Sequence, residues 1–202
     1  SEMCIRDRYN SGRSNYCCNK IRSIFSILAP IKGTVLMFTN TLRENAEHLL
    51  IHCRRLSLKI STAESCTGGL IASCITACTG SSSVFERGYI TYSNEAKEEL
   101  LNVSHKTLQS FGAVSAEVAI EMAEGALTNA KTNLALAVTG VAGPGGGTSL
   151  KPVGLVFIAC AFKDKSDTKC QKFNFNGDRE EVRLATVEKA ILLGLEVLTQ
   201  NT

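Results

Sequence analysis

The sequence predicts an α/β protein in which helices cover a mixed, largely parallel β-sheet. Beyond Met37, segments with helical periodicity alternate with short apolar runs, and this alternation is typical of layered α/β folds. The last two apolar runs, 153–162 and 168–175, follow each other closely, as the strands of a β-hairpin do. Because a hairpin is antiparallel, the sheet must be mixed rather than purely parallel.

Reading the periodicities along the chain gives the order of the elements. We expect a helix over 40–55, a strand over 57–63, a helix over 67–78, a strand over 86–92, a helix that opens at Ser93 or Asn94, a short helix after Ser104, a helix over 116–130, strands over 133–140, 153–162 and 168–175, and a final helix over 178–199. The pattern shows neither an internal repeat nor a second domain.

Local signals justify the helices. The first helix carries its apolar residues on one face: Leu42, Ala46, Leu49, Leu50 and Cys53. Ser115 is a residue type that accepts hydrogen bonds from the free amides at a helix start. Asp178 and Glu181 have the spacing of a capping box, which predicts the start of the last helix.

The strands are justified by their composition. Segments 133–140 and 153–162 are almost continuously apolar, as expected of strands buried on both faces. Segment 168–175 alternates between apolar and polar residues, which is typical of an edge strand with one face in water.

The first 36 residues differ from the rest of the chain. They show neither helical nor strand periodicity, whereas Met37 directly precedes the first amphipathic helix. We interpret 1–36 as a non-native or disordered N-terminal extension, with Met37 as the native start and 37–202 as one domain. Mass spectrometry of the naturally expressed protein tests this, since an intact peptide from residues 1–20 would contradict it.

Charge and hydropathy argue against nucleic-acid and membrane partners. The net charge is +3, but residues 1–36 hold six of the 22 basic and two of the 19 acidic residues, so the remainder is nearly neutral. A nearly neutral body lacks the basic surface that nucleic-acid binding requires. No apolar run approaches the ~20 residues that span a bilayer.

The nine cysteines form no CxxC pair and no cluster with zinc-ligand spacing. We interpret them as reduced, mostly buried thiols, which predicts a cytoplasmic protein. His48 and His52 stand four residues apart on the first helix, but no third ligand has supporting spacing. We therefore expect neither a metal ion nor a cofactor.

The stretch "AESCTGGL", residues 63–70, lies between a predicted strand and a predicted helix. Ser65 is either an ordinary helix cap or a nucleophile whose neighbouring amides bind an anion. Gly68 and Gly69 would weaken the first helical turn by roughly 1 kcal/mol each, which suggests that a ligand approaches the backbone there. Cys66 is a third nucleophile candidate, but it has no evident base.

Lys97 is the candidate base, because no histidine lies near these loops. With Asn94 as the cap, Lys97 would be the third helical residue, where the positive end of the helix dipole disfavours an ammonium. Partial burial would act in the same direction and favour the neutral amine. The alternative is an exposed lysine in an ordinary charged helix.

Two further loops carry candidate groups. Ser82 lies in a serine-rich segment, where turn formation is the simple explanation. The loop "TGVAGPGGGT", 139–148, follows a buried strand, and its backbone amides could hold a phosphate or an oxyanion; a mobile glycine hairpin is the alternative. Arg179 opens the last helix and could bind a phosphate or simply pair with a nearby acid.

Several long segments together resemble the nicotinamide mononucleotide (NMN) deamidase family, also known as the CinA C-terminal domain. They are "AESCTGGLIAS", "TGSSSVFERGYITYSNEAKEELLNV", "FGAVSAEVAIEMAEGAL", "VTGVAGPGGGTSLKPVGLVF" and "FNFNGDREEVR". The likeness extends over about 39–200, and the nucleotide-processing N-terminal domain of full-length CinA proteins has no counterpart here. One departure is Gly145, where family members often carry an acidic residue.

The resemblance implies a three-layer α/β/α sandwich and hydrolysis of the NMN carboxamide to nicotinate mononucleotide and ammonia, in pyridine-nucleotide recycling. It implies a serine–lysine mechanism without metal. Carried over by position, the catalytic residues are Ser65, Ser82, Tyr92 and Lys97. The substrate-binding residues we expect are Thr67, Gly68, Thr139, Gly140, Gly143, Gly146 and Arg179. We also expect NMN as the small-molecule partner and a homo-oligomer.

In the implied mechanism a serine attacks the carboxamide carbon and Lys97 moves the proton, while Tyr92 orients Lys97. The 139–147 loop with Thr139 holds the oxyanion or ribose, and Arg179 with a helix N-terminus binds the phosphate. Topology favours Ser65 as the nucleophile, because Ser82 precedes its strand and should lie at the opposite edge of the sheet unless its loop reaches across or a second subunit supplies it. The resemblance keeps Ser82 as the other candidate. The alternative function is a non-catalytic, nucleotide-binding regulatory module associated with competence or DNA damage; a related one is amidase action on another pyridine carboxamide.

Overall fold

The computed structural model describes residues 37–165 and 167–201. The expectation for 1–36 lies outside the described residues. The elements are α1 (Asn40–Arg55), β1 (Ile60–Glu64), α2 (Leu70–Thr76), a 3-10 turn (Ser81–Ser83), β2 (Phe85–Ile90), α3 (Asn94–Leu101), α4 (His105–Phe111), α5 (Ala116–Ala130), β3 (Leu134–Gly140), β4 (Leu155–Phe162), β5 (Lys169–Asn174) and α6 (Arg179–Asn201).

The five strands form one mixed sheet in the order β2-β1-β3-β4-β5. Strands β2, β1 and β3 are parallel, whereas β4 pairs antiparallel with β3 and β5 pairs antiparallel with β4. Helices α1, α2 and α6 pack on one face of the sheet, and α3, α4 and α5 pack on the other. The predicted three-layer α/β/α sandwich with a mixed sheet is therefore confirmed.

Strand alternation explains the two cores. Along β3, the large residues Leu134, Leu136 and Val138 face the core beneath α1 and α6. The intervening Ala135 and Ala137 face α5. Because successive side chains point to opposite faces, a continuously apolar strand can serve both layers. The small residues on the second face let α5 lie close to the sheet.

Local capping signals set the helix starts. The hydroxyls of Ser93 and Ser115 accept hydrogen bonds from the amides of Ala96 and Val118. At the start of α6, the Asp178 carboxylate accepts from the amides of residues 180 and 181, and the Glu181 carboxylate accepts from the Asp178 amide. The predicted capping box is therefore confirmed.

Two predicted starts are three residues too early. The first strand begins at Ile60, because Ser57 has a φ of 55° and ends the turn that follows α1. Helix α2 begins at Leu70, because Gly68 and Gly69 have φ values of 60° and 96° and form a left-handed turn before it.

The parallel strands bring several loops to one edge of the sheet. Residues that follow β1, β2 and β3 emerge together at the carboxyl-terminal edge, as they do in open α/β sheets that bind ligands there. Within the described ranges, no helix is long and apolar enough to cross a membrane.

Candidate active site

Ser65 and Lys97 meet at the carboxyl-terminal edge of β1 and β2. The Nζ atom of Lys97 lies 3.3 Å from Ser65 Oγ. Ser65 directly follows β1, and Lys97 stands on α3, which follows β2. A serine hydroxyl beside a buried amine is the arrangement of a nucleophile and its base.

Lys97 is almost fully buried, with 1% of its surface exposed. Its Nζ donates to the main-chain oxygens of Thr91 at 2.9 Å, Ser93 at 3.3 Å and Tyr92 at 3.4 Å. Burial lowers the pKa of the Lys97 ammonium from its usual value of 10.5, and the negative charge of the Glu95 carboxylate opposes this shift. The neutral amine that a base requires is therefore more accessible than in an exposed lysine.

The position of Lys97 on its helix differs from our expectation. Ser93 rather than Asn94 caps α3, so Lys97 is the fourth helical residue and its amide donates to the Ser93 oxygen. Burial, rather than the end of the helix, is the main cause of the lowered pKa of Lys97.

The turn that follows Ser65 is built around Glu64, a residue that the sequence analysis did not single out. Glu64 ends β1 and is fully buried. Its carboxylate accepts hydrogen bonds from the Thr67 hydroxyl at 2.7 Å and from the amides of Gly69, Ile71 and Ala72 at 2.9, 3.0 and 2.8 Å. The carboxylate thereby caps α2 from inside the protein. A glutamate at the end of an otherwise uncharged strand was the sequence signal for this role.

Thr67 and Gly68 are not among the residues that line the cavity around Ser65 and Lys97. The Thr67 side chain is fully buried on Glu64, and Gly68 provides a left-handed backbone conformation. A side chain at Gly68 or at Gly69 would be strained by the positive φ, whatever space surrounds it. The positive φ values of the turn therefore account for both glycines.

One cavity of about 220 Å³ brings six of the predicted site residues together: Ser65, Tyr92, Lys97, Thr139, Gly140 and Arg179. A larger groove of about 560 Å³ adjoins it, since Ala142 and Arg179 line both. The groove also contains Asp178 and Glu180, so its lining is more acidic than basic.

Arg179 spans the boundary between the cavity and the groove. Its guanidinium donates to the main-chain oxygen of Gly143 at 2.6 Å and to the Tyr92 hydroxyl at 3.2 Å. Tyr92 therefore contacts Arg179 through its side chain and Lys97 through its main-chain oxygen. At the start of α6, the amides of residues 180 and 181 are already bonded to Asp178, so Arg179 is the group there with free donor capacity for an anion.

The 139–147 loop lies only partly in the cavity. The Thr139 hydroxyl is 1% exposed and donates to the Ala113 oxygen at 2.7 Å. Gly140 lines the cavity, and a side chain there would clash with the Leu155 oxygen at 2.7 Å. Gly143 contributes its carbonyl to Arg179, whereas Gly146 is exposed and does not line the cavity.

Ser82 is not brought into this cavity within the chain. It lies in the 3-10 turn that precedes β2, whereas Ser65 follows the parallel strand β1. The six residues of β2 place the two ends roughly 20 Å apart. The neighbouring Ser83 hydroxyl and the Gly80 oxygen contact Arg54 of α1. The opposite-edge placement expected from topology is confirmed.

Cys66 is a poor nucleophile despite lining the same cavity. Burial raises the pKa of the Cys66 thiol to about 12, so it remains protonated at neutral pH. This leaves the Ser65 hydroxyl as the nucleophile candidate beside Lys97.

Comparisons with known proteins agree with this fold. A structure of the competence/damage inducible protein CihA from Agrobacterium tumefaciens is 45% identical, covers 83% of this chain and 100% of that chain, and has a TM-score of 0.79. A CinA superfamily structure from Escherichia coli is 33% identical, covers 80% of this chain and 95% of that chain, and has a TM-score of 0.73.

Longer relatives contain a similar segment. A CinA-like protein from Endomicrobium trichonymphae is 48% identical over 80% of this chain, and a putative competence-damage inducible protein from Caldicellulosiruptor saccharolyticus is 53% identical over 66%. The chain spans 37% and 32% of the lengths of these two curated relatives. The family model of the CinA C-terminal domain matches residues 42–198. The chain therefore belongs to the CinA C-terminal domain family.

Proposed function

We propose that this protein is a nicotinamide-nucleotide amidohydrolase, which converts NMN to nicotinate mononucleotide and ammonia in pyridine-nucleotide recycling. The observation that carries the proposal is the 3.3 Å approach of the buried Lys97 Nζ to Ser65 Oγ inside a cavity. A cavity of about 220 Å³ can hold a pyridine carboxamide, and the adjoining groove offers room for the ribose phosphate.

In the first step, Ser65 Oγ attacks the carboxamide carbon as its proton moves to Lys97 Nζ. The carbon–nitrogen bond then breaks, and the proton passes from Lys97 to the leaving ammonia. The product of this step is an ester between Ser65 and the nicotinoyl group. Water attacks that ester with Lys97 again as the base, which releases nicotinate mononucleotide and restores the Ser65 hydroxyl.

The neighbouring residues have supporting roles in this proposal. Tyr92 orients Lys97 through its carbonyl oxygen, and Thr139 and Gly140 form part of the cavity wall. Arg179 binds the phosphate by exchanging its contacts to Gly143 and Tyr92 for phosphate oxygens. Arg179 acts without the amides of residues 180 and 181, because Asp178 occupies them.

Ammonia release from NMN tests the assignment with two matched variants. We expect Ser65→Ala to lower kcat by about 10⁴-fold or more, because it removes the nucleophile. Ser82→Ala serves as the control, and it should retain kcat near the wild-type value. Near-normal turnover by Ser65→Ala, or a large loss in Ser82→Ala alone, would contradict the choice of Ser65. NMN binding without ammonia release by the wild type would instead favour a non-catalytic regulatory module.

A further inference from the structure

We infer that Glu64 is a positioning residue for the Ser65 nucleophile, an inference that rests on the proposed function. Glu64 immediately precedes Ser65, is fully buried, and does not line the cavity. It therefore acts through the backbone that carries Ser65 rather than on a substrate.

The Glu64 carboxylate organises the turn through four hydrogen bonds. One oxygen accepts from the Thr67 hydroxyl and from the amides of Gly69 and Ile71, and the other accepts from the Ala72 amide. These donors stand three to eight residues further along the chain, so one side chain gathers the whole segment that leads into α2.

Three further contacts complete the frame around Ser65. The Ser65 amide donates to the Val138 oxygen of β3 at 3.1 Å, and the Ser65 oxygen accepts from the Gly68 amide at 3.1 Å. From α6, Arg183 donates to the Thr67 oxygen at 2.8 Å. The main chain is thus held on both sides of Ser65, and Glu64 is the only one of these groups that binds the turn at several points.

This frame matters because Lys97 cannot follow a displaced serine. The Lys97 amine is fixed by the main-chain oxygens of Thr91, Tyr92 and Ser93, while the separation between Ser65 Oγ and Nζ is already 3.3 Å. A shift of the turn would lengthen that contact beyond hydrogen-bonding distance. The hydroxyl would then lose its base, although the substrate could still occupy the cavity.

Glu64→Gln tests this role with the smallest change in shape. The glutamine amide nitrogen must face at least one N–H or O–H donor, because all four partners donate. We expect kcat to fall about 10²-fold, the size of effect that small misplacements of reacting groups produce, while KM for NMN stays near the wild-type value. Thr67→Val removes one of the four donors and should lower kcat by an intermediate factor.

Glu121→Gln is the matched control. The Glu121 carboxylate also caps a helix, accepting from the Ser104 amide at 2.7 Å and the Thr107 hydroxyl at 2.6 Å at the start of α4. It does not line the cavity. A purely structural role for Glu64 predicts that both glutamine variants lose thermal stability and keep kcat. The positioning role predicts a loss of kcat in Glu64→Gln alone, measured well below its melting temperature.

A second readout separates this inference from the substrate assignment. A fluorophosphonate forms a bond between Ser65 Oγ and phosphorus as the P–F bond breaks, fluoride leaves and the serine proton passes to Lys97. Peptide mass spectrometry reports the modified residue. We expect slower labelling of Ser65 in Glu64→Gln than in wild type or Glu121→Gln. If Ser65 is labelled more slowly in Glu64→Gln but the wild type releases no ammonia from NMN, the substrate proposal fails and the positioning role stands. Wild-type kcat and labelling in Glu64→Gln, or no labelling and no turnover in wild type, would overturn the positioning role.

Discussion

The Lys97 Nζ has four oxygen neighbours, of which three are main-chain carbonyls and one is the Ser65 hydroxyl. A neutral amine has two N–H donors and one lone pair, so it can donate to two carbonyls and accept the proton of Ser65. An ammonium has no lone pair and can only donate. The residue-scale chemistry therefore depends on the fraction of Lys97 that is neutral, and burial increases that fraction.

For single residues, the position in the fold could be predicted from the sequence, but the burial and the hydrogen-bond partners could not. Ser65 and Lys97 could be placed at one edge because each follows a strand of a βα unit. The burial of Lys97 could not be read from its charged helix, since it depends on the three carbonyls of residues 91–93 that fold around it. Glu64 could not be singled out, because two of its partners lie in the turn before α2 and two in the first turn of α2, and the sequence predicts the whole segment as helix.

At the scale of elements, α3 carries Lys97 and is held by close packing against α5. Gly125 of α5 lies directly beside the main-chain oxygen of Leu101, the last residue of α3. A side chain at Gly125 would meet that oxygen well inside van der Waals contact. The two helices can approach this closely only because Gly125 has no side chain.

We therefore predict that Gly125→Ala destabilises the protein. Overpacking at a close contact costs about 1–3 kcal/mol of unfolding free energy. Urea denaturation measures the change, and kcat should also fall because α3 moves with Lys97. Gly145→Ala is the control, since nothing lies within 4 Å of a side chain there. Equal stability of the two variants would contradict the packing account.

Elements were predictable wherever the signal was local. The Ser115 cap and the Asp178–Glu181 capping box act within four residues, and both are confirmed. The start of α2 depends on the left-handed conformations of Gly68 and Gly69, and composition alone does not distinguish a turn glycine from a helical one. That is why its predicted start was too early.

At the scale of the whole molecule, the two cores and the site have separate locations. The sheet interior is packed by large residues toward α1 and α6 and by alanines toward α5. The cavity lies at the carboxyl-terminal edge of the parallel strands. The fold class could be predicted because alternation and hairpin spacing determine the layers, whereas the shape of the groove depends on how the 141–153 loop lies against the start of α6.

This separation predicts that a core substitution lowers stability without altering the chemistry. Leu136 is fully buried in the middle of β3, and Leu136→Ala should lower the unfolding free energy by about 2–5 kcal/mol. Below its melting temperature the variant should keep kcat near the wild-type value. Leu100→Ala, at a residue 46% exposed, is the control with little expected change. A large loss of kcat in folded Leu136→Ala would show that core and site are coupled.

The pH profile of kcat/KM for ammonia release from NMN tests whether the Lys97 amine is the base for Ser65. Because only the neutral amine accepts a proton, activity should rise with pH through the Lys97 pKa, which burial places below 10.5. Lys97→Met should abolish this rise together with nearly all activity. A profile whose rising limb persists in an active Lys97→Met variant would contradict the account.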